Sequence, residues 1–154
     1  QREKEILGMT FRFVTVVEAK FFGVIRRTLD GQPIHVTDLE KTLVDAADRP
    51  DLSGGGIQLA QAVRAAHADV DWQKLDRYVQ RWPTTSPLKR LGYLIDQMNL
   101  PIPNRKALLN RWQRALAPGI VQLEPGYGSG KGSIVTRWQL RINVTMPWQS
   151  QALA

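Results

Sequence analysis

The apolar residues of this chain keep two different spacings, and the switch between them limits the possible folds. Near the start, MTFRFVTVV (9–17) alternates Phe11 and Phe13 with Thr10 and Arg12. Near the end, SIVTRWQLRINV (133–144) sets Trp138, Leu140, Ile142 and Val144 against Arg137, Gln139, Arg141 and Asn143. A period of two is the signature of a strand with one buried and one wet face. FFGVIRRTLDGQPIHV (21–36) adds two strand-like runs around Asp30-Gly31, a hairpin turn signal. Between these ends the spacing becomes helical. Strands, then about five helices, then strands predict an α+β fold. The antiparallel C-terminal strands are expected to join the N-terminal ones in one sheet, because chain termini often lie close.

Start and stop signals place the helices. Thr37 and Glu40 form a capping-box pattern, with Leu39, Leu43 and Ala46 or Ala47 inward and Pro50 as the stop. A second helix over about 55–67 turns Ile57, Ala60 and Val63 inward. Trp72, Leu75, Val79 and Trp82 space a third. Ser86-Pro87 opens a fourth, lined by Leu88, Leu91, Ile95 and Met98. Asn104 caps a fifth, with Leu108, Trp112 and Leu116 inward. With 154 residues the chain is long enough for one domain with a real core, expected over 1–154.

Composition narrows the chemistry. There is no cysteine, which removes disulfides and thiolate metal sites. His35 and His67 lie far apart without metal-ligand spacing, so no metal and no cofactor is expected. No apolar run approaches the roughly 18–20 residues of a membrane span, and no signal-peptide pattern opens the chain. Net charge is +7, and residues 72–154 carry twelve Lys/Arg against three Asp/Glu. A basic half implies a polyanion or an acidic protein as partner. Its candidate residues are Lys74, Arg77 and Arg81 on the outer face of the third helix and Lys89 and Arg90 early in the fourth. Arg111 and Arg114 on the fifth, beside Arg105 and Lys106, extend the set, as do Arg137 and Arg141 on the last strand.

Three other stretches bear on chemistry. GYGSGKG (126–132) has the glycines and lysine of a phosphate loop, but Gly132 stands where the magnesium hydroxyl belongs and a strand follows instead of a helix. It reads as a mobile hairpin loop between two antiparallel strands, with Lys131 able to touch a nucleic-acid phosphate. VVEAK (16–20) ends a strand in Glu-x-Lys, the pattern of a metal-dependent nuclease, with Glu18 as a metal ligand. That site needs a second acid upstream, where only Glu3 and Glu5 stand. Asp38, Glu40, Asp45, Asp48 and Asp51 read as a solvated acidic face.

VTDLEKTLVDAADRPDLSGG (36–55), KRLGYLID (89–96) and RWQLRIN (137–143), with the lead-in REKEILGMTFRFVTV, together resemble the C-terminal domain of AbiEi-family antitoxins, in order over nearly the whole chain. The matching positions are Glu40, Lys41, Asp45, Arg49, Pro50, Arg90, Gly92, Tyr93, Arg137, Trp138 and Asn143. The resemblance implies a bacterial, cytoplasmic transcriptional regulator of a type IV toxin–antitoxin system, with no catalytic residues. It implies a nucleotidyltransferase-like toxin as partner and a winged-helix domain upstream that reads operator DNA. This domain by itself is then expected to hold DNA only weakly and without sequence preference. The alternatives from other classes are a Glu-x-Lys nuclease and a stand-alone nucleic-acid-binding module.

Overall fold

The computed structural model describes residues 2–128 and 130–151, and side chains up to residue 149. The α+β order holds. Strands β1 (Arg2–Ile6) and β2 (Met9–Phe13) form one antiparallel hairpin. Strands β3 (Val24–Leu29) and β4 (Gln32–Thr37) form a second, turned at Asp30-Gly31 with φ of 48° and 75° as the sequence predicts. Helices α1 (Leu39–Asp48), α2 (Gly56–Ala66), α3 (Trp72–Arg81), α4 (Ser86–Gln97) and α5 (Arg105–Ala115) follow. Strands β5 (Val121–Gln122), β6 (Ser133–Val135) and β7 (Leu140–Ile142) and a short helix α6 (Pro147–Gln151) complete the described chain.

The strands at the two ends do not share a sheet. β1–β2, β3–β4 and β5–β7–β6 are three separate sheets, and the last is mixed: β5 runs parallel to β7 and β6 antiparallel. The expected hairpin between β5 and β6 is therefore absent, because β7 lies between them. The long alternating strand is also interrupted. Thr136–Trp138 is a 3-10 turn, and Gln139 takes a left-handed φ of 49° before β7 begins. Alternation still buries Trp138, Leu140 and Ile142, but only the three residues of β7, not the eight of the alternating run, lie in the strand.

Helix α4 is the axis of the core. All nine residues from Pro87 to Ile95 are buried, a helix enclosed on every side instead of one with a polar face. Leu43, Val44 and Ala47 of α1, Leu59 and Val63 of α2 and Leu108 and Trp112 of α5 belong to the same core, as do Leu123, Trp138 and Leu140 of the C-terminal segment. Gly92 is required here. A Cβ on it would stand 2.2 Å from the Trp138 ring, so the helix and the 3-10 turn meet only because the side chain is missing.

The helix ends depart from the sequence signals in informative ways. Asp38, not Thr37, caps α1, accepting from Lys41 N at 2.8 Å. Glu40 does not reach back; its carboxylate accepts from Asp71 N at 2.8 Å and pairs with Lys74 at 2.6 Å, joining α1 to the start of α3. Leu39 and Ile57 are on the solvent side, and Val44 and Leu59 take the inward places.

Candidate nucleic-acid and partner-binding surface

The basic residues separate into those the fold consumes and those it leaves free. Lys89 and Arg90 belong to the first group. They were expected on a surface, yet Lys89 is 2% and Arg90 4% exposed. The Lys89 ammonium donates to Gly119 O and, at 3.3 Å, to Gln139 Oε1, and burial pulls its pKa down. Arg90 donates to Gln122 O at 2.8 and 3.0 Å, to Ala47 O at 2.7 Å and to Asp48 O at 3.2 Å. One guanidinium thus ties the C-terminal end of α1 to β5. Burial pushes its pKa down to about 10, against the raising fields of Asp48 and Asp51, so it remains a cation at neutral pH.

Other cations are paired on the surface. Lys74 lies between Glu40 and Asp38, at 2.6 and 3.7 Å, and its hydrogen bond with Glu40 raises its pKa. Arg111 pairs with Asp76 at 2.5 Å, while Trp112 Nε1 donates to the other oxygen of that carboxylate at 2.7 Å. This clamp sets α5 beside α3. Asp96 gathers Arg137 at 2.9 Å, Arg105 at 3.5 Å and Trp138 Nε1 at 3.1 Å. Arg141 turns back onto the glycine-rich loop, donating to Gly130 O and Gly132 O at 3.1 and 3.0 Å. Arg137 and Arg141 thus do not form the paired wet face of a single strand.

Arg77, Arg81, Lys106, Arg114 and Lys131 remain exposed without a carboxylate partner among the described residues. Arg77 follows Asp76 on α3, and Arg114 lies one turn beyond Arg111 on α5, so both flank the Asp76 clamp. The Arg81 guanidinium stacks 4.1 Å over the Phe22 ring, which leaves its edge free for an anion.

The glycine-rich loop is stapled. Asn143, 9% exposed, accepts from Glu124 N at 3.0 Å and donates to Glu124 O at 2.7 Å and to Tyr127 O. Glu124 in turn accepts from Gly56 N at 3.2 Å, closing the N-terminus of α2 from a distant segment. A Cβ on Gly132 would lie 1.9 Å from Ile142 O, so that glycine serves close backbone approach. Ser133 opens a strand, where a phosphate loop would open a helix. Ser129 lies outside the described residues.

The Glu-x-Lys stretch forms a 3-10 turn, not a strand end. Lys20 is paired with Asp48 at 2.6 Å, and Asp48 also accepts from Trp82 Nε1 at 3.1 Å. The acidic face is likewise partly structural: Asp38 and Glu40 are buried, and Tyr78 OH donates to Asp38 at 2.7 Å.

Two features escape the sequence reading. One is an open cleft of about 560 Å³ between the extended segment 14–17 and α1, walled by Val14, Val17, Phe22, Ala46, Leu52 and Trp82 and edged by Lys20, Lys41 and Asp45. The other is the β1–β2 hairpin, all ten of whose strand residues are exposed. The alternation of Phe11 and Phe13 was the available signal for the second; it gives the face but not whether anything covers it. No family model, curated protein or solved structure matches this chain. Among the described residues, no helix is long and apolar enough to cross a membrane.

Proposed function

We propose that this chain is the non-catalytic C-terminal domain of an AbiEi-like antitoxin and transcriptional regulator. In this reading it works in the bacterial cytoplasm, neutralises a nucleotidyltransferase-like toxin and assists operator binding by an upstream winged helix. One observation supports the reading most. The three stretches that carry the resemblance are far apart in sequence, yet their residues meet in space. Arg90 holds the end of the helix that contains Lys41 and Asp45, and Gly92 receives Trp138. Those contacts join the three stretches into one core, as the resemblance expects.

The exposed cations Arg77, Arg81 and Arg114 give the DNA-assisting role its chemistry. Contacts from such side chains to phosphates position a protein without reading bases. Binding by this domain is then weak and sequence-tolerant, and falls with salt at a log–log slope of about −0.9 per phosphate neutralised. Changing all three to glutamine should flatten that slope by about 2.7 units if each holds one phosphate. An unchanged slope in a folded triple variant would remove DNA from this surface. Co-expression with the cognate toxin tests the main claim: residues 1–154 should relieve growth arrest. Rescue only by a longer protein carrying the winged helix would place the antitoxic function elsewhere.

A further inference from the structure

The β1–β2 hairpin has two unlike faces. Its register sets Phe13 opposite Arg2, Phe11 opposite Lys4 and Ile6 opposite Met9, and directly paired residues share a face. That face holds two aromatic rings, each with a cation beside it, and no acid. The acids are on the other face, where Glu3 is paired with Arg12 at 2.7 Å and Glu5 faces Thr10. Phe11 is 42% and Phe13 52% exposed, so about half of each side chain is open to solvent. Arg26 and Arg27 of the neighbouring hairpin are exposed as well.

We propose that this face is a stacking platform for single-stranded nucleic acid, with Phe11 and Phe13 each taking a base and Lys4 and Arg2 each meeting the backbone. Three observations favour that occupant. Phe11 and Phe13 are two residues apart on one strand, about 6.8 Å. That is twice the roughly 3.4 Å rise of a stacked strand, so it suits splayed bases and not a duplex. Aromatic faces interleaved with cations are the combination by which proteins hold single strands without reading sequence. Arg2 and Lys4 stand beside the rings on a face without an acid, a charge pattern that answers the phosphates of a backbone running past stacked bases. The inference does not depend on the antitoxin reading, since it rests on the register, exposure and charge of the hairpin.

Fluorescence anisotropy with labelled dT12 and rU12 at about 50 mM salt tests it on the whole chain. Both oligomers should bind, and the matching duplex more weakly. Phe11→Leu and Phe13→Leu keep an apolar side chain but lose the ring, and each should weaken binding about tenfold or more. Phe11→Tyr with Phe13→Tyr keeps both rings and should bind like the parent, which separates stacking from hairpin integrity. Arg2→Gln with Lys4→Gln should flatten the salt slope by about 1.4 units. Absence of oligomer binding, equal affinity for the duplex, or full affinity in the leucine variants would each overturn the proposal. So would a dimer that the leucine changes dissociate, because the face would then be an interface between copies.

Discussion

Gly92→Ala is the smallest change that tests how α4 and the C-terminal turn meet. The added methyl would sit 2.2 Å from one Trp138 ring carbon and 2.5 Å from two more, where ordinary carbon contacts need about 3.5–4.0 Å. The ring cannot swing aside freely. Trp138 is fully buried, and its Nε1 donates to Asp96 at 3.1 Å. Overpacking of this kind costs about 1–3 kcal/mol, and a lost hydrogen bond to a carboxylate adds about 1.5–3. Alanine's better helix propensity returns about 1 kcal/mol. The balance is a loss of about 1.5–5 kcal/mol, which for a chain of this size lowers Tm by roughly 3–20 °C. Urea and thermal denaturation followed by circular dichroism give both numbers. The companion is Gly92→Ala in a Trp138→Leu background, where the clash is gone and the change should be neutral or slightly stabilising. A Gly92→Ala loss below about 0.5 kcal/mol, or the same loss in both backgrounds, would refute the packing argument.

Arg90→Met should cost about 3–5 kcal/mol in urea titration, since it strands the Ala47, Asp48 and Gln122 carbonyls, whereas exposed Arg77→Gln should stay within about 0.5. Lys74 has a pKa raised above 10.5 by Glu40, so its stabilisation is complete below pH 10.5 and lost as pH climbs through the folded value. Tyr78, with a pKa raised above 10.0 by burial and by Asp38, acts in the same direction; the urea midpoint should therefore fall above about pH 10, and less so in Glu40→Gln. ATP with magnesium at about 100 times a plausible dissociation constant would add about 2.7 kcal/mol if the glycine loop held nucleotide. No shift in Tm is expected, and one that vanishes in Lys131→Ala would restore the phosphate-loop reading. Purified protein should not cleave DNA or RNA with magnesium or manganese; cleavage abolished by Glu18→Gln would favour the nuclease.

Where the sequence was legible, a single local rule was enough. Asp30-Gly31 dictates its turn, and the spacing of Trp72, Leu75, Val79 and Trp82 dictates the buried face of α3. Lys89 and Arg90 were misplaced because a cation normally marks the outside of a helix. What reverses the rule is a set of carbonyls at Gly119, Gln122 and Ala47, none of them close in sequence. The capping box failed similarly. Thr37 and Glu40 fit the local pattern, but Asp71 and Lys74 offered Glu40 a better partner from 31 and 34 positions away. The basic surface was overcounted for the same reason, since Asp76 and Asp96 claim arginines that composition cannot assign.

The enclosure of α4 also governs the order in which the protein can be made. Its wall is completed by Trp138, Leu140 and Ile142, which leave the ribosome about 50 residues after Arg90. At about 5–20 residues per second, the side of the helix that faces Trp138 and Leu140 stays bare for roughly 3–10 s. Until Gly119 and Gln122 emerge, about 30 residues later, Lys89 and Arg90 lack the carbonyls of the C-terminal segment, and they break up an otherwise greasy run as gatekeeper charges do. The same two cations then serve twice, first as a guard against clumping of the nascent chain and later as the pins that lock its end in place. A chain stopped at Gly119 should stay open and precipitate, and faster still when Lys89 and Arg90 are both leucine; a soluble, folded product would show that the helices close without the C-terminal strands.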